Sequence, residues 1–400
     1  MFELAPTAEP ALGDLSLYPE LAHEAYFAWA AVAPWSAPMR DVASEVFNDY
    51  GRAGIGAVRT YVAQRERLRG LLAQLVHAQT SEIALMPNTT RGVVDIALSL
   101  PWKPGERVVC FDGEFPTNVT PWQRAAQTFE LELVFLPVSG FRDARGEALS
   151  RLEQELRRGV RLVAVSAVQF QSGLRMPLAE MGALCARYGA ELFVDSIQAV
   201  GAVPLNPRAL GVHYLANGGH KWLGGLEGTG FLWVAKECLS GLVPRTAGWL
   251  SHEQPFQFLF EGAGHLHYER PFRREADYLE TGVTNALGFA CLEPSVAALL
   301  SLGVDRIYDH LQGLHQRLEE GLSPLGFVSQ RGAPDARSGI VSFAPPPRVD
   351  IVQLPAELAK RGVIVTAPDG LLRFAPHWPT REANVDTAIE AVRECVRVRA

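Results

Sequence analysis

Short apolar runs alternate with segments of helical spacing between about residue 80 and residue 235. The runs of strand length read "RVVCFD", "LELVFLPV", "RLVAVSAV", "AELFVD", "VHYLANGG" and "GTGFLWVA". Between them, "EALSRLEQELRRG" and "LAEMGALCARYG" have helical spacing and end on glycine, as helix C-termini often do. The alternation predicts a mainly parallel sheet covered by helices.

The pattern changes after about residue 295, where the amphipathic "GVDRIYDHLQGLHQRLEEGLSPLG" precedes shorter strand-like runs such as "GIVSFAPP" and "GLLRFAP". This change predicts a smaller α/β unit after the large one. We expect a large unit over residues 51–290 and a small unit over residues 291–400. The first 50 residues read as helix and loop, and we expect residues 1–50 to pack with the small unit.

Composition narrows the class of protein. The 400 residues are 48% hydrophobic and 20% charged, with a formal net charge of −7, which argues against a nucleic-acid surface because that needs a clustered basic patch. No apolar run reaches the roughly 18 residues of a membrane span, and the start lacks a signal-peptide pattern, so we expect a cytoplasmic enzyme. The five cysteines show no metal-ligand spacing, which favours free buried thiols and no metal site.

Polar residues follow directly after four of the apolar runs. They stand in "PNTTRG", "DGEFPTN", "DSIQAVG" and "GGHKWLGG". In open parallel sheets ligands bind beyond the carboxyl ends of strands, so these four loops are the first candidates for a functional site.

The segment "PNTTRGVVDIALSL" places Asn88, Thr89 and Thr90 at a helix start. Unpaired N–H groups and hydroxyls there can hold a phosphate, although ordinary N-capping explains the same residues. Asp195 ends an apolar strand and needs a partner, either a protonated ring nitrogen or an arginine. Lys221, one of only four lysines, stands among glycines; it is either an amine nucleophile with a lowered pKa or an ordinary surface lysine.

Together these three features match pyridoxal phosphate, which requires a phosphate seat, a partner for its pyridinium nitrogen and a lysine that forms a Schiff base. Other phosphate motifs fit less well. "GGLEGTG" lacks the ending of a P-loop, and "GRAGIG" does not follow a strand.

Over nearly its whole length the chain resembles the class V aminotransferases, a fold-type I group that includes cysteine desulfurases, isopenicillin N epimerase and kynureninase. The similarity is most specific in "DSIQAVGAVPLN" followed by "GGHKWLGGLEGTGFLWV". The resemblance implies a pyridoxal-phosphate fold with a mainly parallel seven-stranded sheet and a smaller α/β domain.

The resemblance also implies roles for individual residues. Lys221 would carry the cofactor and shuttle a proton, Asp195 would pair with the pyridinium nitrogen, and Gln198 would bind the phenolic oxygen. Thr89, Thr90 and His220 would contact the phosphate. Phe115 would stack on the pyridine ring, the alternative being a core phenylalanine, and Arg373 in "GLLRFAPHWPT" would bind the α-carboxylate of an amino-acid substrate, the alternative being a surface ion pair.

The chain departs from the family pattern at three places. Gly218 stands where many members have a phosphate-binding serine. In "ETGVTN" Val283 replaces a threonine that contacts the phosphate of the neighbouring subunit, which leaves Thr284 as the candidate for that contact in a homodimer. The loop "RGVIVTAPDGLLRFAP" has no cysteine, whereas desulfurases carry their nucleophile there.

These features favour a lyase or desulfurase-like reaction without a nucleophilic cysteine. An amino-acid aminotransferase or an epimerase is the alternative, because all three reactions share Lys221 and Asp195. A protein that binds the cofactor without turnover is a more distant alternative.

Overall fold

The computed structural model describes residues 9–23 and 25–397. Its strands are β1 (Ala25–Tyr26), β2 (Ile83–Met86), β3 (Arg107–Asp112), β4 (Glu132–Pro137), β5 (Leu162–Ser166), β6 (Glu191–Asp195), β7 (Tyr214–Gly218), β8 (Gly230–Val234), β9 (Val328–Ser329), β10 (Val341–Ala344), β11 (Val363–Ile364) and β12 (Leu372–Phe374). Its α-helices are α1 (Ala37–Ala53), α2 (Val58–Leu75), α3 (Thr89–Ser99), α4 (Thr120–Phe129), α5 (Gly140–Asp143), α6 (Arg145–Arg157), α7 (Leu178–Tyr188), α8 (Lys236–Leu239), α9 (Gln257–Phe260), α10 (Ala286–Leu302), α11 (Val304–Leu322), α12 (Leu354–Ala359) and α13 (Glu382–Arg397).

Strands β2 to β8 form one seven-stranded sheet in the order β2-β8-β7-β6-β5-β3-β4. The five consecutive strands β7, β6, β5, β3 and β4 run parallel to one another. Strand β8 is antiparallel to both β7 and β2. The predicted α/β fold with a mainly parallel seven-stranded sheet is confirmed, and the reversed β8 is the feature that the hydrophobic pattern does not reveal.

The central strands are mostly apolar because helices cover both faces of the sheet. Every residue of β5, β7 and β8 is buried, so their sequences show no alternation of polar and apolar positions. Helix α7 buries Leu178, Met181 and Cys185 and ends before Gly189, which has the left-handed φ of 70° that glycine adopts without strain. The glycine ending predicted for this helix is therefore confirmed.

The C-terminal part of the chain forms a second, smaller sheet in the order β12-β10-β9, with antiparallel pairing. Strand β1 pairs in parallel with β11, and helix α1 packs against α10. The predicted division at residues 50 and 290 stays a prediction. Of the residues in the predicted N-terminal segment and small unit, residues 1–8, 24 and 398–400 lie outside the described residues.

No single helix of the described chain is long and apolar enough to cross a membrane. Helix α10 and the segment Val304–Leu325, which are bent by 79° at the break between them, reach that length and apolar content only as a pair. Within residues 9–23 and 25–397, no group of three or more His, Cys, Asp or Glu side chains is placed to hold a metal ion.

Candidate active site

The candidate residues meet beyond the carboxyl ends of β6 and β7. Strand β6 ends at Asp195 and β7 ends at Gly218, three residues before Lys221. The two strands are parallel neighbours, with Asp195 opposite Ala216. Their following loops therefore open at the same edge of the sheet, as the sequence predicts.

Asp195 is almost completely buried, with 2% of its surface exposed. Its Oδ1 accepts a hydrogen bond of 3.0 Å from the backbone N–H of Ile197. Burial, together with the nearby Glu114 carboxylate, raises the pKa of Asp195 above the usual range of an aspartate. No arginine of the described chain forms an ion pair with Asp195, so the arginine partner considered from the sequence is absent.

Lys221 lies half-buried beside the Phe115 ring, with its Nζ 5.8 Å from the ring centroid. Burial lowers the pKa of Lys221 well below that of a free lysine, Asp195 opposes this shift, and Arg373 adds to it. An amine with a lowered pKa is more often uncharged and nucleophilic at neutral pH. This environment differs from that of the ordinary surface lysine.

Thr89, Gly218 and His220 converge at the start of α3. Asn88 makes the N-cap, since its side chain accepts from the N–H of Arg91. The hydroxyl of Thr89 is buried and has no hydrogen-bond partner. A Cβ placed on Gly218 would lie 3.0 Å from Thr89 Oγ1 and 3.4 Å from His220 Cε1. The helix start thus has a buried hydroxyl without a partner in the described chain, beside first-turn N–H groups that have no acceptor within the helix.

Gly218 also has a direct steric explanation. The same added Cβ would lie only 2.8 Å from Ile197 Cδ1. The isoleucine side chain therefore occupies the place that a serine side chain would need at this position. Thr90, one residue after Thr89, instead shares a hydrogen bond of 2.9 Å with the hydroxyl of Thr117.

Gln198 is held by hydrogen bonds on both ends of its amide group. Its Nε2 donates to the carbonyl of Ala30 at 2.9 Å, and its Oε1 accepts from Trp222 Nε1 at 2.9 Å. One N–H of the amide thus remains for a ligand. The fixed orientation identifies that N–H as the available donor.

Phe115 and Phe170 form an aromatic wall beside Lys221. Their ring centroids are 5.3 Å apart in an edge-to-face arrangement. The Phe115 ring is 46% exposed, which is inconsistent with the alternative of a core phenylalanine. An exposed apolar ring next to a half-buried lysine offers a face for stacking a planar ligand.

Arg373 is buried, with 5% of its surface exposed, and it lies on β12. Its Nε donates to Thr366 Oγ1 at 2.9 Å and its Nη1 donates to the carbonyl of Phe170 at 2.6 Å. Among the described residues it has no carboxylate partner, and burial lowers the pKa of this guanidinium. Arg373 is thus not the surface ion pair considered as the alternative but a buried cation without an anion.

Thr284 lines a cavity of about 420 Å³ together with Met86, Arg91 and Gly228. Lys221 and Asp195 are not among the residues that line this cavity. The cavity instead includes Arg91 in the first turn of α3, two residues after Thr89.

Three residues of this region are not assigned a role from the sequence. Glu114 is buried directly before Phe115, Trp222 follows Lys221, and His377 connects the C-terminal segment to Trp222 by a hydrogen bond of 2.9 Å. Glu114 could have been found, because it stands in "DGEFPTN" just after β3, where the rule for strand ends applies. The sequence gives no reason to distinguish Trp222 and His377 from the aromatic residues of the hydrophobic core.

The residues present fit pyridoxal phosphate on three independent points. Among the residues that the structure describes, the buried hydroxyl of Thr89 has no hydrogen-bond partner, Asp195 has no cation in hydrogen-bond contact, and Arg373 has no anion. A phosphate, a ring N–H and a substrate carboxylate would satisfy these three groups in turn.

Comparisons with known proteins identify the family of the chain. The profile of the family described as "Aminotransferase class-V" matches residues 26–376. A probable cysteine desulfurase of Pyrococcus abyssi is 30% identical over 286 residues, covering 70% of this chain and 68% of that protein. The uncharacterized aminotransferase YcbU of Bacillus subtilis is 25% identical over 332 residues, covering 83% of this chain and 84% of that protein.

Among solved structures, the fold is similar to that of the cystine C–S lyase C-DES. A variant of C-DES with glycine covalently linked to the PLP cofactor has a TM-score of 0.85 and 23% identity, covering 96% of this chain and 99% of that chain. C-DES with its product cysteine persulfide also has a TM-score of 0.85, at 22% identity, covering 94% of this chain and 99% of that one. With the family profile matching most of the sequence, the chain belongs to the class V aminotransferase family and is a pyridoxal-phosphate-dependent enzyme.

Proposed function

We propose that this enzyme carries its cofactor on Lys221 and removes a β-substituent from a small amino acid, as a lyase or desulfurase-like enzyme without a nucleophilic cysteine. The observation that carries the proposal is Arg373, a buried guanidinium with no carboxylate partner in the described chain. It shares the Phe170 and Phe115 wall with Lys221. A substrate α-carboxylate on Arg373 would therefore bring an α-amino group to the lysine.

Lys221 and Asp195 would do the proton chemistry. When bound, pyridoxal phosphate withdraws electrons from the substrate α-carbon and so acidifies its proton. The lowered pKa of Lys221 suits it to accept that proton near neutral pH. Asp195, buried and short of a cation, would hold the ring nitrogen in its protonated form.

The remaining candidates would position the cofactor. Thr89, Thr90 and His220 would hold the phosphate at the start of α3, where the helix dipole favours an anion. Phe115 would stack on the ring with its exposed face. Gln198 would donate its remaining amide N–H to the phenolic oxygen.

The cysteines support a reaction that needs no thiol nucleophile. All five are buried, and burial raises the pKa of the thiols of Cys110, Cys185, Cys238 and Cys291. A buried thiol with a raised pKa is a poor nucleophile. The turn before Arg373 carries Pro368, Asp369 and Gly370 and no cysteine.

The product tests the reaction class. The purified holoenzyme is incubated with a panel of L-amino acids that includes cysteine and cystine, and sulfide, ammonia and keto acids are measured. Release of the β-substituent without an added keto acid supports the lyase. Amino transfer that requires a keto-acid acceptor would instead establish an aminotransferase, which the Bacillus subtilis relative favours, and inverted stereochemistry would establish an epimerase.

We also propose that two copies of the chain form a homodimer in the cytoplasm. In such a dimer Thr284 would contact the phosphate across the subunit boundary. Val283 in the same loop supports this, because it is an apolar residue that is 87% exposed in the single chain and that a second copy could cover. Light scattering tests the proposal, and a monomer with full cofactor occupancy would contradict it.

Replacing Thr89 with valine should weaken cofactor binding by about tenfold, because a hydrogen bond to a charged phosphate is lost. The cofactor-free protein should keep its stability, since the Thr89 hydroxyl has no partner to lose. Equilibrium titration with pyridoxal phosphate measures the first effect and urea unfolding of the cofactor-free protein measures the second. Thr128→Val, on the exposed end of α4, is the matched control and should change neither quantity.

A further inference from the structure

A second buried carboxylate, Glu114, lies close to Asp195. Only 8% of its surface is exposed. Its Oε1 accepts from the N–H of Ser166 at 2.7 Å and from Gln169 Nε2 at 2.9 Å. Its Oε2 accepts from Asn118 Nδ2 at 3.3 Å and contacts the hydroxyl of Ser166. Burial raises the pKa of Glu114, but these neutral donors on both oxygens oppose that shift because they stabilise the ionised carboxylate.

The donors connect Glu114 directly to the strand beside Asp195. Ser166 is the last residue of β5 and pairs with Asp195 in the register of the sheet. The neighbouring N–H of Ala167 donates to the carbonyl of Asp195 at 2.8 Å. Glu114 also immediately precedes Phe115, so its side chain fixes the Phe115 loop relative to the end of β5.

The charges around Glu114 do not neutralise it directly. In the described chain no lysine, arginine or histidine forms an ion pair with Glu114. The ionisable groups facing it are Asp195 and, from β3, the thiol of Cys110. Beyond Asp195 lies Lys221, which in turn faces His220 and Arg373. The ionised carboxylate of Glu114 therefore acts electrostatically first on Asp195.

We propose that Glu114 is a positioning residue whose buried charge, acting through Asp195, keeps a proton on the pair formed by Asp195 and the base that Asp195 binds. The inference rests on the proposed function, in which that base is the ring nitrogen of the cofactor. A second negative charge near the pair disfavours loss of its proton, because deprotonation would leave two buried carboxylates next to a neutral base. The pair then titrates as one unit with a raised midpoint.

The test follows the ring nitrogen by NMR in holoenzyme loaded with nitrogen-15-labelled pyridoxal phosphate as pH is raised. Glu114→Gln removes the charge while keeping the size of the side chain. We expect the nitrogen to lose its proton at a pH about 0.5 to 1 unit lower than in the wild type. A change limited to packing would alter stability or affinity without moving this midpoint.

Gln169→Leu is a second variant, which tests the inference if Glu114→Gln does not fold. It removes one donor to Glu114. No other hydrogen bond of the side chain is lost, because Gln169 Oε1 is buried without a partner in the described chain. Glu114 then holds its charge less well, and we expect a shift in the same direction but smaller. Glu82→Gln is the control. Glu82 is a fully buried carboxylate directly before β2, at the end of that strand away from Asn88; it accepts from the N–H groups of Gln79 and Lys236 and pairs with Arg208. Its replacement should leave the midpoint unchanged.

The outcomes separate the two proposals. A midpoint that stays at the wild-type value in both Glu114→Gln and Gln169→Leu overturns the inference and leaves the proposed function intact. A wild-type protein that binds no labelled cofactor overturns the proposed function itself. A shift shared equally by Glu82→Gln would also overturn the inference, since the effect would then be general.

Discussion

Replacing Lys221 with alanine should lower turnover by about 10³-fold or more and abolish the visible absorption of a Schiff base that borohydride can fix. Lys221 is the half-buried amine beside the exposed ring of Phe115, and both the attachment and the proton transfer depend on it. Absorption spectra before and after borohydride reduction, together with product assays, measure the two losses.

Lys103→Ala is the matched control, because Lys103 is exposed and lies before β3, away from the site. It should leave the spectrum and turnover unchanged. If the Lys221 variant keeps a band that borohydride fixes, another amine carries the cofactor and the assignment of Lys221 is wrong. If the variant keeps the wild-type cellular role as well, the protein that binds the cofactor without turnover becomes the better explanation.

Replacing Arg373 with methionine should reduce kcat/KM by about 100-fold or more while changing the free energy of unfolding little. The substrate loses a charged bidentate contact worth roughly 3 kcal/mol or more. The free protein loses two hydrogen bonds, to Thr366 and Phe170, but it no longer buries an unpaired guanidinium. Steady-state kinetics and urea unfolding of the cofactor-free protein measure the two quantities.

Arg331→Met provides the contrasting case. Arg331 is similarly buried but pairs with Glu319 at 2.5 Å, so its loss leaves that carboxylate without its partner. It should destabilise the fold while leaving KM near its wild-type value. A large loss of stability in Arg373→Met with unchanged kinetics would mean that Arg373 serves the fold and does not bind substrate.

The sequence predicts the features that depend on local pattern. The central strands, the helix ending at Gly189 and the position of Asp195 and Lys221 beyond neighbouring strands follow from hydrophobic runs and from the rule for parallel sheets. These features need only the order of elements along the chain. The reversal of β8 is not local, because its direction depends on which neighbours it joins.

The contacts between distant segments could not be predicted. Glu114 meets Ser166 and Gln169, and Gln198 meets Trp222 and Ala30, only after the strands and loops have packed. Side-chain contacts of this kind depend on the relative height and rotation of elements, which hydrophobic periodicity does not encode. Gly218 shows the same limit, because Ile197 explains it only through a distance in space.

The pocket joins segments from both ends of the described chain. Ala375 donates to the carbonyl of Phe27, the ring of Trp29 lies 4.8 Å from that of His377, and His377 bonds to the residue after Lys221. During synthesis on the ribosome, the large sheet can form long before His377 has emerged. Until then Lys221 and Asp195 belong to an incomplete site, so we expect newly made chains to retain the cofactor only after His377 has left the ribosome and packed against Trp29 and Trp222.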